Sequence, residues 1–305
     1  MIKKEIYRHV LFDTICRGST VIAEDVRAAF QHAISIEDAA DARTGLEKTL
    51  ESIQLSAINQ RPACPDTGWP LFYFKVGNEC ELEGGMCALE ESARQAVITA
   101  TQRGYLRKTM KHPLTGYDPG NNIGMNIPDF TYQFVTGDCI EITYVAKGGG
   151  SECFGGTRSR VIAFADGLAG IKKFIIDSFI DSTRTGGICP PSILGVGIGG
   201  TANVAANLAK EAACLRTIGS KHPEAAIADL EEELYEALNS LGIGIMGMGG
   251  RTSVFAVNIE YAFTHIAGIA CATSSNCMVA RRATSRITAD SQVAQLPDPN
   301  WFDRR

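Results

Sequence analysis

The chain has 305 residues, 45% of them hydrophobic and 21% charged, with 34 acidic against 29 basic side chains and a net charge of −5. That is enough chain to bury a core in one large domain or two ordinary ones, and an acidic balance with no basic stripe argues against a general nucleic-acid binder. No apolar run approaches the length of a membrane-spanning helix, no basic amphipathic stretch marks a membrane surface, and the start MIKKEIYRHVLFDTICRGS is charged throughout, unlike a secretory signal; a cytoplasmic protein is expected.

In chain order, residues 22–59 repeat apolar side chains at three- and four-residue intervals and read as helix. The turn-forming CPDTG follows, then LFYFKVG, whose aromatic and β-branched residues predict a strand. Residues 87–103 return to a helical period. The stretch HPLTGYDPGNNIGMNIPD predicts a long loop, of a length that inside a domain is usually functional or mobile. CIEITYVAKGGGSE reads as a strand entering a glycine loop, and VIAFADGLAGIKKFIIDSFI as helix. TGGICPPSILGVGIGGTANVAANLAKEAA reads as loop, strand, glycine turn and helix. PEAAIADLEEELYEALNSL is an amphipathic helix, and GIGIMGMGGRTSVFAVNIEYAF a glycine loop followed by a strand. The fold class this predicts is α/β (mixed α+β), with central sheet or sheets flanked by helices and the glycine loops gathered on one side at a cleft. A single catalytic domain is expected over 1–290, with 291–305 as an extended C-terminal tail.

The 31 glycines concentrate in three loops. GVGIGG, residues 195–200, fits a dinucleotide fingerprint formally, but the strand with an acidic residue about 20 positions on is missing. A tight strand-to-helix turn explains it better. AKGGGSE, residues 146–152, lacks the order of a phosphate-binding P-loop; its bare backbone N–H groups can still cradle an anion, with Lys147 adding charge. MGMGG, residues 246–250, reads as close backbone packing.

Ten cysteines are many for such a chain. Length, the charged start and uneven spacing argue against a disulfide framework, and the lack of any CxxC pair argues against structural zinc. Several should be plain buried thiols, Cys214 in its helical run among them. Cys64 in ACPDTG, Cys189 in GGICPPS and Cys277 in SSNCMVARRA differ, because all three lie in turn-prone sequence. A single cysteine nucleophile activated by His112 or His265 would use only one of them. Widely spaced loop thiolates that converge can instead hold an iron–sulfur cluster.

CPDTG, KGGGSE, GGICPP followed by GVGIGG, and CMVARRA, in that order, resemble the α-type domain of the iron–sulfur hydro-lyases, the class I fumarases and L(+)-tartrate dehydratases. The resemblance runs from about residue 10 to about residue 285. It implies a [4Fe–4S] cluster on Cys64, Cys189 and Cys277, with one iron left open to substrate. It further implies that Asp66 holds the substrate hydroxyl, that Gly149 contacts substrate through its backbone, that Arg107 in the Leu106-Arg107-Lys108-Thr109 segment grips a carboxylate, and that His265 is catalytic. Fumarases of the class typically carry Gln after the first cysteine; here Pro65 stands there, so strict fumarase specificity does not follow. Single-chain class I fumarases continue into a second domain that supplies the base and further carboxylate ligands, and this sequence ends at Arg305. The resemblance therefore implies an α subunit completed by a β-type subunit, as αβ pairs or α2β2. The expected reaction is reversible dehydration of a four-carbon 2-hydroxy diacid, malate to fumarate first and tartrate to oxaloacetate second. The readings of a different class are a nucleotide-binding protein and a noncatalytic cluster carrier.

Overall fold

Strand formation is clearest in WPLFYFKVG, where alternate aromatic side chains find different partners. Phe72 and Phe74 pack into one core, while Tyr73 turns the other way and meets Trp301 edge to face at 5.3 Å. The computed structural model describes residues 1–303. In chain order its elements are α1 (Lys4–Thr20), α2 (Glu24–Ile36), α3 (Ala40–Ile58), β1 (Trp69–Gly77), α4 (Gly85–Gln102), β2 (Asp129–Val135), β3 (Ile140–Lys147), α5 (Gly149–Cys153), β4 (Thr157–Ile162), α6 (Gly167–Arg184), β5 (Ser192–Ile198), α7 (Ala202–Leu215), α8 (Ala225–Ser240), β6 (Val254–Tyr261), β7 (Ile269–Asn276), β8 (Arg282–Ile287) and β9 (Val293–Leu296). Two sheets with helices packed on them give the mixed α/β class expected from sequence.

The chain divides into two compact units. The first takes Met1–Ala23, Ser52–Lys147 and the chain from Arg281 on. Its sheet has the order β2-β1-β3-β8-β9, parallel between β1 and β2 and antiparallel elsewhere. Tyr7, Leu11 and Ile15 of α1 and Leu89, Ala93 and Val97 of α4 bury themselves against Phe72, Phe74, Ile140, Ile142 and Tyr144. The segment 291–305, read from sequence as an extended tail, carries a strand: β9 pairs with β8, and Trp301 is buried. Four residues of mixed polarity show no period of their own, so the partner strand creates this element.

The second unit comprises Glu24–Glu51 and Gly148–Ala280. Its sheet runs β4-β7-β5-β6, with β5 and β6 parallel and β7 antiparallel to both its neighbours. Alternation along β5 assigns its two faces. Leu194 and Val196 join Ile175, Phe179, Leu234 and Leu238 from α6 and α8. On the other face Gly195 and Gly197 let α7 approach until its carbonyls touch the strand: a Cβ on Gly197 would lie 1.9 Å from the Ala205 carbonyl oxygen. The GVGIGG pattern is thus spent on helix–strand packing.

Candidate active site

In the first unit, Cys64 is half-buried in the turn that leads from α3 into β1. The turn is tied at both ends. The Ala63 N–H donates to the Ser19 carbonyl at 2.9 Å, and Asp66 Oδ1 accepts the Gly68 N–H at 3.0 Å. Gly68 has φ of +69°, a conformation that favours glycine. Arg107 lies on this turn. Its N–H donates to Thr67 Oγ1 at 3.0 Å, and its guanidinium Nη1 donates to the Pro65 carbonyl at 2.8 Å. Cys64, Asp66 and Arg107, 43 positions apart at the extremes, are therefore one local assembly.

A residue that sequence reading passed over holds this assembly. Asn122, 2% exposed, donates from Nδ2 to the Arg107 carbonyl at 2.7 Å and to Thr101 Oγ1 at 3.0 Å. Its Oδ1 accepts the N–H groups of Thr109 at 2.9 Å and Met110 at 3.3 Å. Asn tolerates the left-handed backbone found here, φ +62°. The available signal was the Asn-Asn-Ile-Gly stretch inside a loop too long to be idle.

In the second unit, Cys189 precedes β5 and Cys277 follows β7. Those strands are antiparallel, with Ile193 opposite Asn276, so the two thiols flank the same end of the sheet. The Met278 N–H donates to the Cys189 carbonyl at 3.0 Å and ties the segments directly. Both side chains are half-buried. The glycine loop that opens α5 reaches the same region: a Cβ on Gly150 would lie 2.1 Å from the Gly187 carbonyl oxygen, two residues before Cys189. The Met246 N–H donates to the Pro190 carbonyl at 3.0 Å, so the MGMGG loop also borders Cys189. Gly149, Cys189 and Cys277 share one end of this unit.

His265 does not. It lies in the exposed turn from β6 to β7, with Nδ1 accepting the Ala267 N–H at 3.1 Å. β7 runs its eight residues between that turn and Cys277, a span of roughly 25 Å. Gly199 and Gly200 sit at this far end, where the Gly200 N–H donates to the Phe263 carbonyl at 3.3 Å. The glycine loops thus gather only in part, since the end of GVGIGG faces away from Cys189.

Of the remaining thiols, Cys16, Cys214 and Cys271 are buried, Cys80 and Cys139 are half-buried as these three are, and Cys87 and Cys153 are exposed. Burial pushes Cys16 and Cys271 up to about 12, which keeps them neutral core thiols. Cys214 is buried in α7. Among the described residues, no three His, Cys, Asp or Glu side chains gather closely enough to hold one metal ion; a multi-iron cluster distributes its thiolates over separate irons and does not need that spacing.

The fumarate hydratase (Fumerase) family matches residues 9–286. A protein of Methanocaldococcus jannaschii provisionally named L(+)-tartrate dehydratase subunit alpha is 35% identical over 286 residues, 93% of this chain and 98% of its own length. The L(+)-tartrate dehydratase subunit alpha of Escherichia coli strain K12 is 35% identical over 279 residues, 91% of this chain and 89% of its own. The chain belongs to the fumarate hydratase family, and it is a hydro-lyase.

Proposed function

We propose that the chain is the α subunit of a [4Fe–4S]-dependent hydro-lyase that reversibly dehydrates a four-carbon 2-hydroxy diacid, with Cys64, Cys189 and Cys277 as the protein ligands. The observation that carries this reading is the setting of the three thiols. They are half-buried; Cys64 shares its turn with Asp66 and Arg107, and Cys189 and Cys277 are joined by one backbone hydrogen bond beside the glycine loop. Soft sulfur ligands suit iron–sulfur chemistry. When bound, the cluster supplies an open iron that acts as Lewis acid on the hydroxyl to be expelled.

The chain's own groups do the rest. Arg107 offers a guanidinium to a substrate carboxylate, held in place by Thr67, Pro65 and Asn122. Asp66 orients the hydroxyl or carries its proton. The backbone N–H groups around Gly149 receive the second carboxylate. A catalytic part for His265 draws no support from its place at the far end of β7. The base that removes the proton from the neighbouring carbon is assigned to a β-type subunit; the relatives named as alpha subunits have nearly the same extent as this chain. Ten free cysteines suit a reducing compartment, the cytoplasm. No helix among the described residues is long and apolar enough to cross a membrane.

Malate to fumarate is the first reading. Tartrate to oxaloacetate is the second, and the relatives' names favour it. Co-expression with the β-type partner and anaerobic assay on malate and L(+)-tartrate decides between them: turnover of one diacid is expected, and an iron-loaded complex inert toward both contradicts the proposal.

A further inference from the structure

Three arginines are buried among the described residues: Arg216, Arg281 and Arg282. Two of them face carboxylates. Arg216 pairs with Glu231, and Arg282 Nη2 lies 3.4 Å from Asp298 Oδ1. Arg281 is 3% exposed, and its Nε and Nη1 are buried without a hydrogen bond. A guanidinium cannot shed its charge, so leaving one dry and unpaired is expensive. Its charge is felt by the Tyr144 phenol. Burial pushes the Tyr144 phenol up to about 12, against the opposing pull of the Arg281 charge and the Ser19 hydroxyl beside it. Tyr144 Oη and Ser19 Oγ, beside each other, are themselves buried. Four buried polar atoms on three residues thus stand together with no acid among them.

Their place in the first unit gives this set a purpose. The Ala146 N–H donates to the Arg281 carbonyl at 3.1 Å, which fixes Arg281 beside the end of β3. Gly18, at the end of α1, packs so tightly that a Cβ would come 2.8 Å from Tyr144 Cδ1. The next residue, Ser19, accepts the Ala63 N–H through its carbonyl. The set therefore lies directly behind the turn that carries Cys64. In sequence, Arg281 also follows Cys277 by four positions. At 3% exposure it is poorly placed to meet a substrate that enters and leaves, and well placed to meet a resident anion.

We propose that Arg281 is the built-in counter-charge for the thiolate-ligated cluster at Cys64, a positioning residue backed by Tyr144 and Ser19 rather than a ligand of iron or substrate. This rests on the cluster reading and deepens it. Iron–sulfur clusters on thiolates are tuned by hydrogen bonds to sulfur and by nearby charge, so a fixed cation at this position raises cluster affinity and makes the cluster easier to reduce.

The test uses the full chain, anaerobically reconstituted with ferrous iron and sulfide, as wild type, Arg281→Met and Arg281→Lys. Three quantities are read: thermal stability of the iron-free chain, the rate at which a chelator strips iron from the loaded chain, and the cluster's reduction potential. Without iron, Arg281→Met should be at least as stable as wild type, because it removes a buried unpaired charge. Once loaded, it should lose iron about ten times faster and titrate at a lower potential, with Arg281→Lys restoring both in part. If Arg281→Met destabilises the iron-free chain while iron retention and potential stay at wild-type values, Arg281 is a framework residue and the assignment falls. A wild-type chain that takes up no iron and sulfide overturns the cluster reading itself, a result distinguishable from the first.

Discussion

Cys64, Cys189 and Cys277 are half-buried on turns, whereas Cys16, Cys214 and Cys271 are sealed in cores. Cys80 and Cys139 are half-buried too, so the candidate ligands are marked by their neighbours, Asp66 and Arg107 beside Cys64 and the glycine loop beside Cys189. Serine at any of the three turn positions replaces a soft thiolate by a hard oxygen, so each variant should lose nearly all cluster iron on anaerobic iron and sulfide analysis. Cys214→Ser should retain it. Full iron content in any of the first three variants removes that residue from the ligand set. Cys271 makes a separate prediction about pH. Its folded pKa, about 12, lies above the unfolded thiol value of 9.0. The unfolded chain therefore ionises first as pH rises, and stability is whole below about pH 9 and declines toward pH 12. The slope is roughly 1.4 kcal/mol per pH unit for one group. Urea unfolding at pH 8 and pH 10.5 should show wild type losing more than Cys271→Val, and equal losses contradict the assignment. Arg107 shows what short motifs can and cannot carry. Leu-Arg-Lys-Thr is weak evidence by itself, yet the chain folds so that its guanidinium reaches the Pro65 carbonyl. Asn122, which holds the arginine's backbone, offered no such motif.

At the scale of elements, the β5–α7 pair shows why a glycine pattern should be read for packing before chemistry. Gly195 and Gly197 face the α7 backbone at distances no Cβ tolerates. Gly197→Ala should destabilise the chain by about 3 kcal/mol or more through forced backbone movement, measured by denaturant unfolding; a loss under about 0.5 kcal/mol, the size of an ordinary surface substitution, contradicts the packing account. Elements with their own period were legible in sequence: β1, β3, β5, β6 and helices α2, α3, α4, α7 and α8. α1 was missed because its charges interrupt the apolar repeat; only after folding do Tyr7, Leu11 and Ile15 align against the sheet. Edge strands were missed for a related reason. β4, reading TRSRVI, and β9, reading VAQL, are short and largely exposed, and pairing rather than composition makes them strands. His265, twelve residues before Cys277 in sequence, lies a whole strand away from it in space.

For the whole molecule, membership in the fumarate hydratase family over residues 9–286 makes hydro-lyase chemistry the frame. Within it, Cys64, Asp66 and Arg107 belong to one compact unit and Gly149, Cys189 and Cys277 to the other. The central claim is that the three thiolates hold four irons and leave one to substrate. Its most direct measurement is the Mössbauer spectrum of the anaerobically reconstituted chain, loaded with Mössbauer-active iron and recorded with and without the dicarboxylate it turns over beside its partner. One iron of four should change its signal when the diacid is added, while the other three stay fixed. Four irons that all ignore the diacid, or a chain that assembles no cluster, would contradict the account.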